Sequence, residues 1–147
     1  MLNQTGASAP EKAILAGLVL PQVSRTVVEE HLEELQKLTE SAGGSVVGTI
    51  LQERSAPDSA TWIGRGKAEE LAELVTSAGA TLAIFDDDLS PAQARNLEKI
   101  LGVKVIDRSG LILDIFARRA RSRESRTQVE LAQLEYLLPR LTRQWSH

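Results

Sequence analysis

Residues 107–147 read DRSGLILDIFARRARSRESRTQVELAQLEYLLPRLTRQWSH, and this stretch decides the architecture of the chain. Between Leu111 and Leu138 it contains neither proline nor glycine, which predicts a helix of about twenty-five residues or more. Pro139 should kink or end that helix. A single helix cannot bury an apolar seam, so we expect the seam to pack against another copy or to fold back onto the rest of the chain. The seam residues are Leu131, Leu134, Leu138 and Leu141.

The residues before this arm alternate between short apolar runs and helical segments. Apolar runs at residues 13–20, 46–51, 82–85 and 103–106 predict four strands. Thr26 and Glu29 have the spacing of a capping box, and Ser90-Pro91-Ala92-Gln93 combines an N-cap with a proline at the first helical position. This alternation predicts an α/β fold: a small parallel sheet flanked by helices, followed by a long C-terminal helix that is half of a helical hairpin. We expect residues 1–108 to form the α/β domain and residues 109–147 to form the helical arm.

Composition restricts the class of protein. The chain has 147 residues, of which 42% are hydrophobic, and it has no cysteine, which excludes disulfides and thiolate chemistry. The longest apolar run is too short to cross a bilayer and residues 1–10 lack a signal-peptide pattern, so we expect a cytoplasmic protein without membrane insertion. Charge is divided unevenly, because eight arginines and four acidic residues give residues 108–147 a balance of +4, whereas residues 1–107 carry −7.

The basic residues of the arm are the first candidate for function. Seven arginines could contact RNA phosphates: Arg118, Arg119, Arg121, Arg123, Arg126, Arg140 and Arg143. The planar guanidinium group suits phosphate oxygens, and an acidic protein needs a locally basic surface to bind RNA. We place Arg140 and Arg143 near the tip of the arm. The alternative is a solvated helix face whose arginines pair with Asp114, Glu124 and Glu130.

The segment Gly64-Arg65-Gly66-Lys67 precedes a helical pattern and is a candidate for binding a nucleotide or another anion. Free N–H groups at a helix N-terminus, beside the cationic Arg65 and Lys67, can bind a phosphate. A phosphate loop of the Walker type would need glycine at position 61 and Ser or Thr at position 68, where this chain has Thr61 and Ala68. The alternative, which we favour, is a tight turn that leads into a helix.

Three neighbouring carboxylates follow the third apolar run. Asp86-Asp87-Asp88-Leu89-Ser90 has the D-x-D-x-S spacing of haloacid-dehalogenase-type phosphatases. Those enzymes need a downstream lysine and further acids on a larger sheet, so the simpler interpretation is a group of carboxylates near a helix N-terminus. His31 and His147 have no metal-ligand spacing, and we predict neither a metal site nor a catalytic residue in this chain.

Several longer blocks carry a family resemblance. They are residues 62–71 (WIGRGKAEEL), 85–93 (FDDDLSPAQ), 111–117 (LILDIFA) and 128–134 (QVELAQL), with shorter ones at 95–98, 107–109, 119–120 and 139–141. In this order they resemble the N-terminal domain of the HflX family of ribosome-associated GTPases. The resemblance covers nearly the whole chain after the first ten residues or so.

The resemblance implies a fold and a function. In that family this region is a small α/β domain followed by a long antiparallel helix pair, whose helices are joined by a glycine-rich loop, and a GTPase domain comes afterwards. The region is implied to bind the large ribosomal subunit through its rRNA. The whole protein is implied to split ribosomes with GTP hydrolysis, notably under stress, and its GTPase domain is implied to hold GTP and magnesium.

This sequence stops at His147, before the glycine-rich loop, the second helix and the GTPase motifs. We therefore expect no cofactor and no GTP hydrolysis from these residues. The chain is either part of a longer GTPase, whose own GTPase domain would then be a partner, or a stand-alone relative. Two alternatives stay open: an ATP-binding domain that uses the Gly64–Lys67 turn, as some family members are thought to do, and a dimerisation module that uses the leucine seam.

Overall fold

The computed structural model describes residues 10–145, apart from the side chains of Arg119 and of residues 141–145. Strands and helices alternate through β1 (Lys12–Val19), α1 (Arg25–Ser41), β2 (Ser45–Glu53), α2 (Arg65–Ala78), β3 (Leu82–Phe85), α3 (Pro91–Leu101) and β4 (Lys104–Asp107). Two further helices follow, α4 (Arg108–Arg119) and α5 (Arg123–Trp145). The predicted α/β fold with a long C-terminal helix is confirmed.

The four strands form one parallel sheet in the order β2-β1-β3-β4. β1 and β3 lie in the centre, β2 lies at one edge and β4 lies at the other. The chain passes from β2 across β1 to β3, so the direction of winding reverses between β1 and β3. In open α/β sheets, such a reversal creates a crevice at the carboxyl ends of the strands.

Both faces of the sheet are buried at β1, β3 and most of β4, which explains why these strands read as apolar runs, whereas only Ile50 is buried in β2. On one face, Ile14, Ala16 and Leu18 of β1 pack with α2 and α3. On the other face, Leu15 and Val19 of β1 pack with α1 and α4. Each large side chain buried in these two layers contributes about 1.5–3 kcal/mol to folding.

The helix starts confirm one sequence prediction and correct another. The capping box of α3 is present, because the Ser90 hydroxyl accepts the Gln93 N–H at 3.1 Å and the Gln93 side chain accepts the Ser90 N–H at 2.9 Å. The capping box predicted from Thr26 is wrong. α1 begins earlier, at Arg25, because the Ser24 hydroxyl caps the helix by accepting the Val27 N–H at 3.3 Å.

The predicted single helix from Leu111 to Leu138 is also wrong, because the chain breaks between α4 and α5. Ala120 is extended, with φ −67° and ψ 123°, and it ends α4. Ser122 starts α5: its hydroxyl accepts the Ser125 N–H at 3.0 Å, and the Ser125 hydroxyl accepts the Ser122 N–H at 3.2 Å. In a continuous helix, the N–H groups of Ser122 and Ser125 would donate to backbone carbonyls four residues earlier. Here they donate to each other's hydroxyl groups, and this arrangement stabilises the start of a new helix.

α5 returns along α4, because Tyr136 of α5 lies against Gly110 in the first turn of α4. The two helices therefore form an antiparallel hairpin. The leucine seam does not fold back onto the sheet, since Leu131, Leu134 and Leu138 are 57%, 53% and 56% exposed; the Leu141 side chain lies outside the described residues. Pro139 does not end α5, which continues to Trp145. Within residues 10–145, no helix has the length and apolar character needed to cross a membrane.

Candidate functional site

The turn between α4 and α5 exposes a group of basic side chains. Arg121 lies in the turn, and Arg123 and Arg126 lie in the first turn of α5. All three are exposed, and none forms an ion pair with a side chain that the structure describes. We call Arg121, Arg123 and Arg126 the tip arginines. The helix start fixes their backbone, because the Arg126 N–H donates to the Ser122 carbonyl at 3.0 Å.

Two other candidate arginines are engaged within the molecule. Arg118 Nε donates at 3.2 Å to Oδ2 of Asp114, a fully buried carboxylate on the same helix. Arg140 does not lie near the tip of the arm, as the sequence suggested, because α5 carries it back to the carboxyl edge of the sheet. Its guanidinium group donates to the carbonyls of Tyr136 at 2.7 Å and Leu89 at 3.1 Å. The side chains of Arg119 and Arg143 lie outside the described residues.

The arm attaches to the sheet through Asp107, the last residue of β4, which is 2% exposed. Its Oδ1 accepts the Gly110 N–H at 3.0 Å and the Tyr136 hydroxyl at 2.8 Å. Its Oδ2 accepts the Leu89 N–H at 2.9 Å and Arg140 Nη2 at 3.3 Å. Four donors satisfy a charge that would otherwise be costly to bury. Asp107 therefore joins the β3–α3 loop, the start of α4 and the middle of α5.

Beside Asp107, a second buried carboxylate is neutralised by one arginine. Arg108 Nε donates to Asp86 Oδ1 at 3.0 Å, and Nη2 donates to the same oxygen. The guanidinium group also contacts α1, through Glu34 Oε1 at 2.7 Å and the His31 carbonyl at 2.9 Å. Asp86 is 8% exposed. Its role is structural, because it holds the Arg108 guanidinium group between β3 and α1.

An open cleft of about 460 Å³ lies at this edge of the sheet, between α1 and the residues that follow β3 and β4. Burial raises the pKa of Asp87 on its wall, and the neighbouring Asp86 carboxylate acts in the same direction, while a hydrogen bond from Trp62 opposes them. Asp88 accepts the Ser109 hydroxyl at 2.6 Å. Among the described residues, no group of three or more His, Asp or Glu side chains is arranged to hold a metal ion.

The segment from Gly64 to Lys67 is the N-cap and first turn of α2. The Gly64 N–H donates to Gln52 Oε1 at 2.8 Å, and a Cβ on Gly64 would approach Arg54 Nη1 to 2.6 Å. Lys67 Nζ is paired with Glu70 at 3.0 Å, and Arg65 lies 3.9 Å from Glu69. These contacts fit the tight-turn interpretation of this segment.

The loop before this turn is tied to α3. Asp58 accepts the N–H groups of Ala60 at 2.8 Å and Thr61 at 3.1 Å, and these bonds lower its pKa. Gln93 donates to the Asp58 carbonyl at 3.0 Å, and Asn96 donates to the Ala60 carbonyl at 3.0 Å. Two polar side chains of α3 therefore hold the loop at residues 58–61, just before the block at 62–71, against that helix.

Sequence reasoning missed Asp107 and Tyr136 as site-forming residues. Asp107 could have been found as a helix cap, because its carboxylate lies three residues before the Gly110 N–H that it accepts. Tyr136 gave no local signal, since its partner is 29 residues away in the sequence.

A parallel sheet of order β2-β1-β3-β4, with a helical hairpin attached at its carboxyl edge, defines a small α/β module with a helical arm. The family described as GTP-binding GTPase N-terminal matches residues 29–117, and the one described as GTP-binding GTPase Middle Region matches residues 119–147. This chain belongs to the HflX family, of which these two regions are part.

Named relatives agree with this assignment. The chain is 51% identical to the GTPase HflX of Alkalihalophilus pseudofirmus over 136 residues, covering 91% of this chain and 31% of the relative. It is 48% identical to the GTPase HflX of Escherichia coli over 139 residues, covering 95% of this chain and 32% of the relative. It thus spans about a third of the length of the curated relatives it matches.

A solved structure has a similar fold. The chain is similar to a GTP-binding protein from the archaeon Sulfolobus solfataricus in complex with GDP, with a TM-score of 0.67 and 27% identity. The match covers 92% of this chain and 40% of that protein.

Proposed function

We propose that this chain is the ribosome-docking region of an HflX-type GTPase and that it contacts rRNA of the large ribosomal subunit through the tip arginines. The observation that supports this proposal is the exposure of Arg121, Arg123 and Arg126 at one end of the hairpin without an ion pair among the described side chains. A guanidinium group that is not neutralised inside the protein is available to a phosphate.

The charge distribution favours binding in one orientation. Residues 1–107 carry −7, so RNA phosphates repel the α/β body, whereas the arm is basic. The tip arginines lie at the end of the hairpin opposite Asp107, because α4 runs from Asp107 along the sheet and ends at Arg119. In this proposal the whole longer protein splits ribosomes with GTP hydrolysis in the cytoplasm, including under stress, and its GTPase domain supplies GTP and magnesium binding.

The experiment is co-sedimentation of the purified chain with large ribosomal subunits over a series of salt concentrations. We expect Arg123→Glu/Arg126→Glu to weaken binding by roughly tenfold or more at low salt. We also expect the slope of log affinity against log salt to become shallower by about 0.7–0.9 for each phosphate contact removed. Two exposed substitutions should change the free energy of unfolding by less than about 1 kcal/mol.

The matched control is Lys37→Glu/Lys99→Glu, which makes the same change of net charge at exposed positions of α1 and α3. Under the proposal, this control changes affinity far less than the tip variant does. Equal losses in both variants would show that only net charge matters and would contradict docking through the tip. ATP titration of the same proteins tests the nucleotide alternative: saturable ATP binding that Lys67→Ala abolishes would favour a site at the Gly64–Lys67 turn.

A second candidate function is self-association through α5. Leu131, Leu134 and Leu138 form an apolar stripe on which each residue is more than half exposed. Burial of such a stripe against a second copy would be favourable by several kcal/mol, at about 25 cal/mol per Å² of apolar surface. This homodimer is compatible with RNA binding at the tip, because Arg123 and Arg126 lie in the first turn of α5, before the stripe begins at Leu131.

A further inference from the structure

β2 is an open edge of the sheet. It has nine residues, Ser45–Glu53, and in the part of the chain that the structure describes it pairs with β1 alone. The opposite edge strand, β4, has only four residues and begins with Lys104. Short strands and lysines are devices by which proteins protect sheet edges from pairing, whereas β2 contains neither lysine nor proline. One register shift, opposite Ala13 and Ile14, is its only irregularity among the described pairs.

The outward-facing backbone groups of β2 follow from its register. The Arg54 N–H donates to the Val19 carbonyl of β1 at 3.0 Å, so Arg54 faces the sheet interior. Successive residues of a strand direct their N–H and C=O groups to opposite sides, and the register from Gly48 to Glu53 is regular. The N–H and C=O groups of Thr49, Leu51 and Glu53 therefore point away from β1. They form an unpaired ladder long enough for an added strand.

A groove runs beside this ladder, between β2 and α1. It has a volume of about 260 Å³, and its wall is apolar at Leu32 and Leu51. Glu29 and Glu33 of α1 line it and are exposed. Arg25 is the one cation among the lining residues, and it is already held by Glu53 at 2.9 Å and by Glu29 at 3.8 Å. The groove thus has one more acidic than basic side chain in its lining, beside the apolar Leu32 and Leu51.

We propose that the β2 edge and this groove bind an extended segment of a partner protein in which basic and apolar residues alternate. The segment adds a fifth strand to the sheet, with main-chain hydrogen bonds to Thr49, Leu51 and Glu53. Alternate side chains of such a strand lie on the α1 side, where basic ones meet Glu29 and Glu33. The apolar ones lie on the opposite face, on the side of the half-buried Leu74 of α2. Charge complementarity selects a basic segment over an acidic one. This site lies on the edge of the sheet and is independent of RNA contact at the tip arginines.

The test uses a fluorescent Lys-Val-Lys-Ile-Lys-Val-Lys peptide as the probe, with anisotropy to measure affinity and amide NMR to locate the site. We expect saturable binding, with the amides of Thr49, Leu51 and Glu53 becoming protected from hydrogen exchange. The same peptide methylated on alternate backbone nitrogens should not bind, because it cannot complete the ladder. Binding of the methylated peptide with equal affinity would overturn strand addition.

Charge selectivity is tested with Glu29→Lys/Glu33→Lys. This variant should bind the lysine peptide about tenfold more weakly and should prefer the corresponding glutamate peptide. The matched control is Glu69→Lys/Glu73→Lys, on exposed positions of α2 across the sheet, which should leave both affinities nearly unchanged. Equal effects of the two variants would overturn the assignment of the groove. Protection of the Thr49 and Leu51 amides without peptide, together with a dimeric mass in sedimentation, would overturn it in favour of a second copy at the edge.

Discussion

The Tyr136 hydroxyl donates a hydrogen bond of 2.8 Å to Oδ1 of Asp107, and this bond attaches the middle of α5 to the end of β4. Burial raises the pKa of Tyr136, and the adjacent Asp107 carboxylate acts in the same direction, so the hydroxyl keeps its proton as a donor. The Arg140 guanidinium group lies 3.7 Å above the tyrosine ring and reaches the other Asp107 oxygen. The pair therefore helps to hold α5 against the end of β4.

Removal of the hydroxyl should loosen this attachment. We expect Tyr136→Phe to lower the free energy of unfolding by about 1.5–3 kcal/mol, because the bond has a charged acceptor that would lose one of its donors. Urea unfolding at neutral pH measures this loss. An unchanged unfolding free energy would mean that water replaces the hydroxyl at no cost and that the arm is held elsewhere.

The same bond should give a pH dependence at alkaline pH. Because folding raises the pKa of Tyr136 above its ordinary value of 10.0, its contribution is complete below pH 10 and is lost as pH rises beyond it. Tyr136 is the only tyrosine in the sequence, so tyrosinate absorbance reports it directly. We expect the stability difference between wild type and Tyr136→Phe to shrink above pH 10. A stability difference that stays constant above pH 10 would contradict a contribution from the protonated Tyr136 hydroxyl.

Gly110 should tolerate no side chain while Tyr136 is in place. A Cβ at this position would lie 2.6 Å from the tyrosine hydroxyl and 2.8 Å from its Cζ atom. We expect Gly110→Ala to cost about 1–3 kcal/mol, as overpacking does in other cores. In a Tyr136→Ala background the same substitution should cost much less, because the clash is gone, and urea unfolding of the double-mutant cycle measures this coupling.

Gly66→Ala is the matched control for Gly110→Ala. A Cβ on Gly66, in the first turn of α2, would meet no atom within 4 Å. This substitution should stabilise the protein by about 0.4–1 kcal/mol, because alanine loses less backbone entropy than glycine on folding. If both alanine variants changed the free energy of unfolding equally, the contact with Tyr136 would not be the cause of the loss in Gly110→Ala.

Asp87 should reduce stability at neutral pH. Its pKa is raised by burial and by Asp86, so the folded state disfavours the ionised form. As pH falls through the raised pKa, the folded state binds the proton before the unfolded state does, so the free energy of unfolding rises. The rise is complete below the unfolded pKa of 3.8. We therefore expect Asp87→Asn to be more stable than wild type at pH 7, by less than about 1 kcal/mol, with the difference vanishing in acid. Urea unfolding across this pH range would contradict the assignment if Asp87→Asn were less stable at pH 7.

The exposed stripe on α5 should affect association and leave folding intact. Leu134 is 53% exposed, so Leu134→Asp should change the free energy of unfolding of the monomer by no more than about 0.5 kcal/mol. If two copies pair through this stripe, the substitution should abolish a concentration-dependent mass in sedimentation. A wild-type monomer at high concentration, with Leu134→Asp behaving identically, would exclude the homodimer.

Local sequence patterns predicted the α/β body well. Strands buried on both faces read as apolar runs, and the start of α3 was visible because both partners of its capping box, Ser90 and Gln93, lie within four residues of each other. The break between α4 and α5 was harder to see. Ser122 and Ser125 are acceptable inside a helix, and only their reciprocal hydrogen bonds show that they begin one.

The candidate site depended partly on contacts that sequence spacing does not contain. The pairing of Arg118 with Asp114, one helical turn away, was visible as an alternative in the sequence. The contacts of Arg140 with Leu89 and Asp107 across the sheet edge were not, and the sequence placed this residue near the tip instead. Only the tertiary structure shows that the tip arginines are left with exposed charges. The open edge of β2 is likewise visible only in the tertiary structure, because strand order cannot be read from the apolar runs themselves.

The attachment at Asp107 has a consequence for the order in which the protein folds. The Gly110 and Leu89 donors are 3 and 18 residues from Asp107, so these bonds can form with the sheet, whereas Tyr136 is 29 residues away on the last helix. Loop-closure entropy favours the nearer contacts first. We therefore expect α5 to dock after the rate-limiting step, with a φ-value near zero at Tyr136. In stopped-flow measurements, Tyr136→Phe should accelerate unfolding and leave the folding rate nearly unchanged.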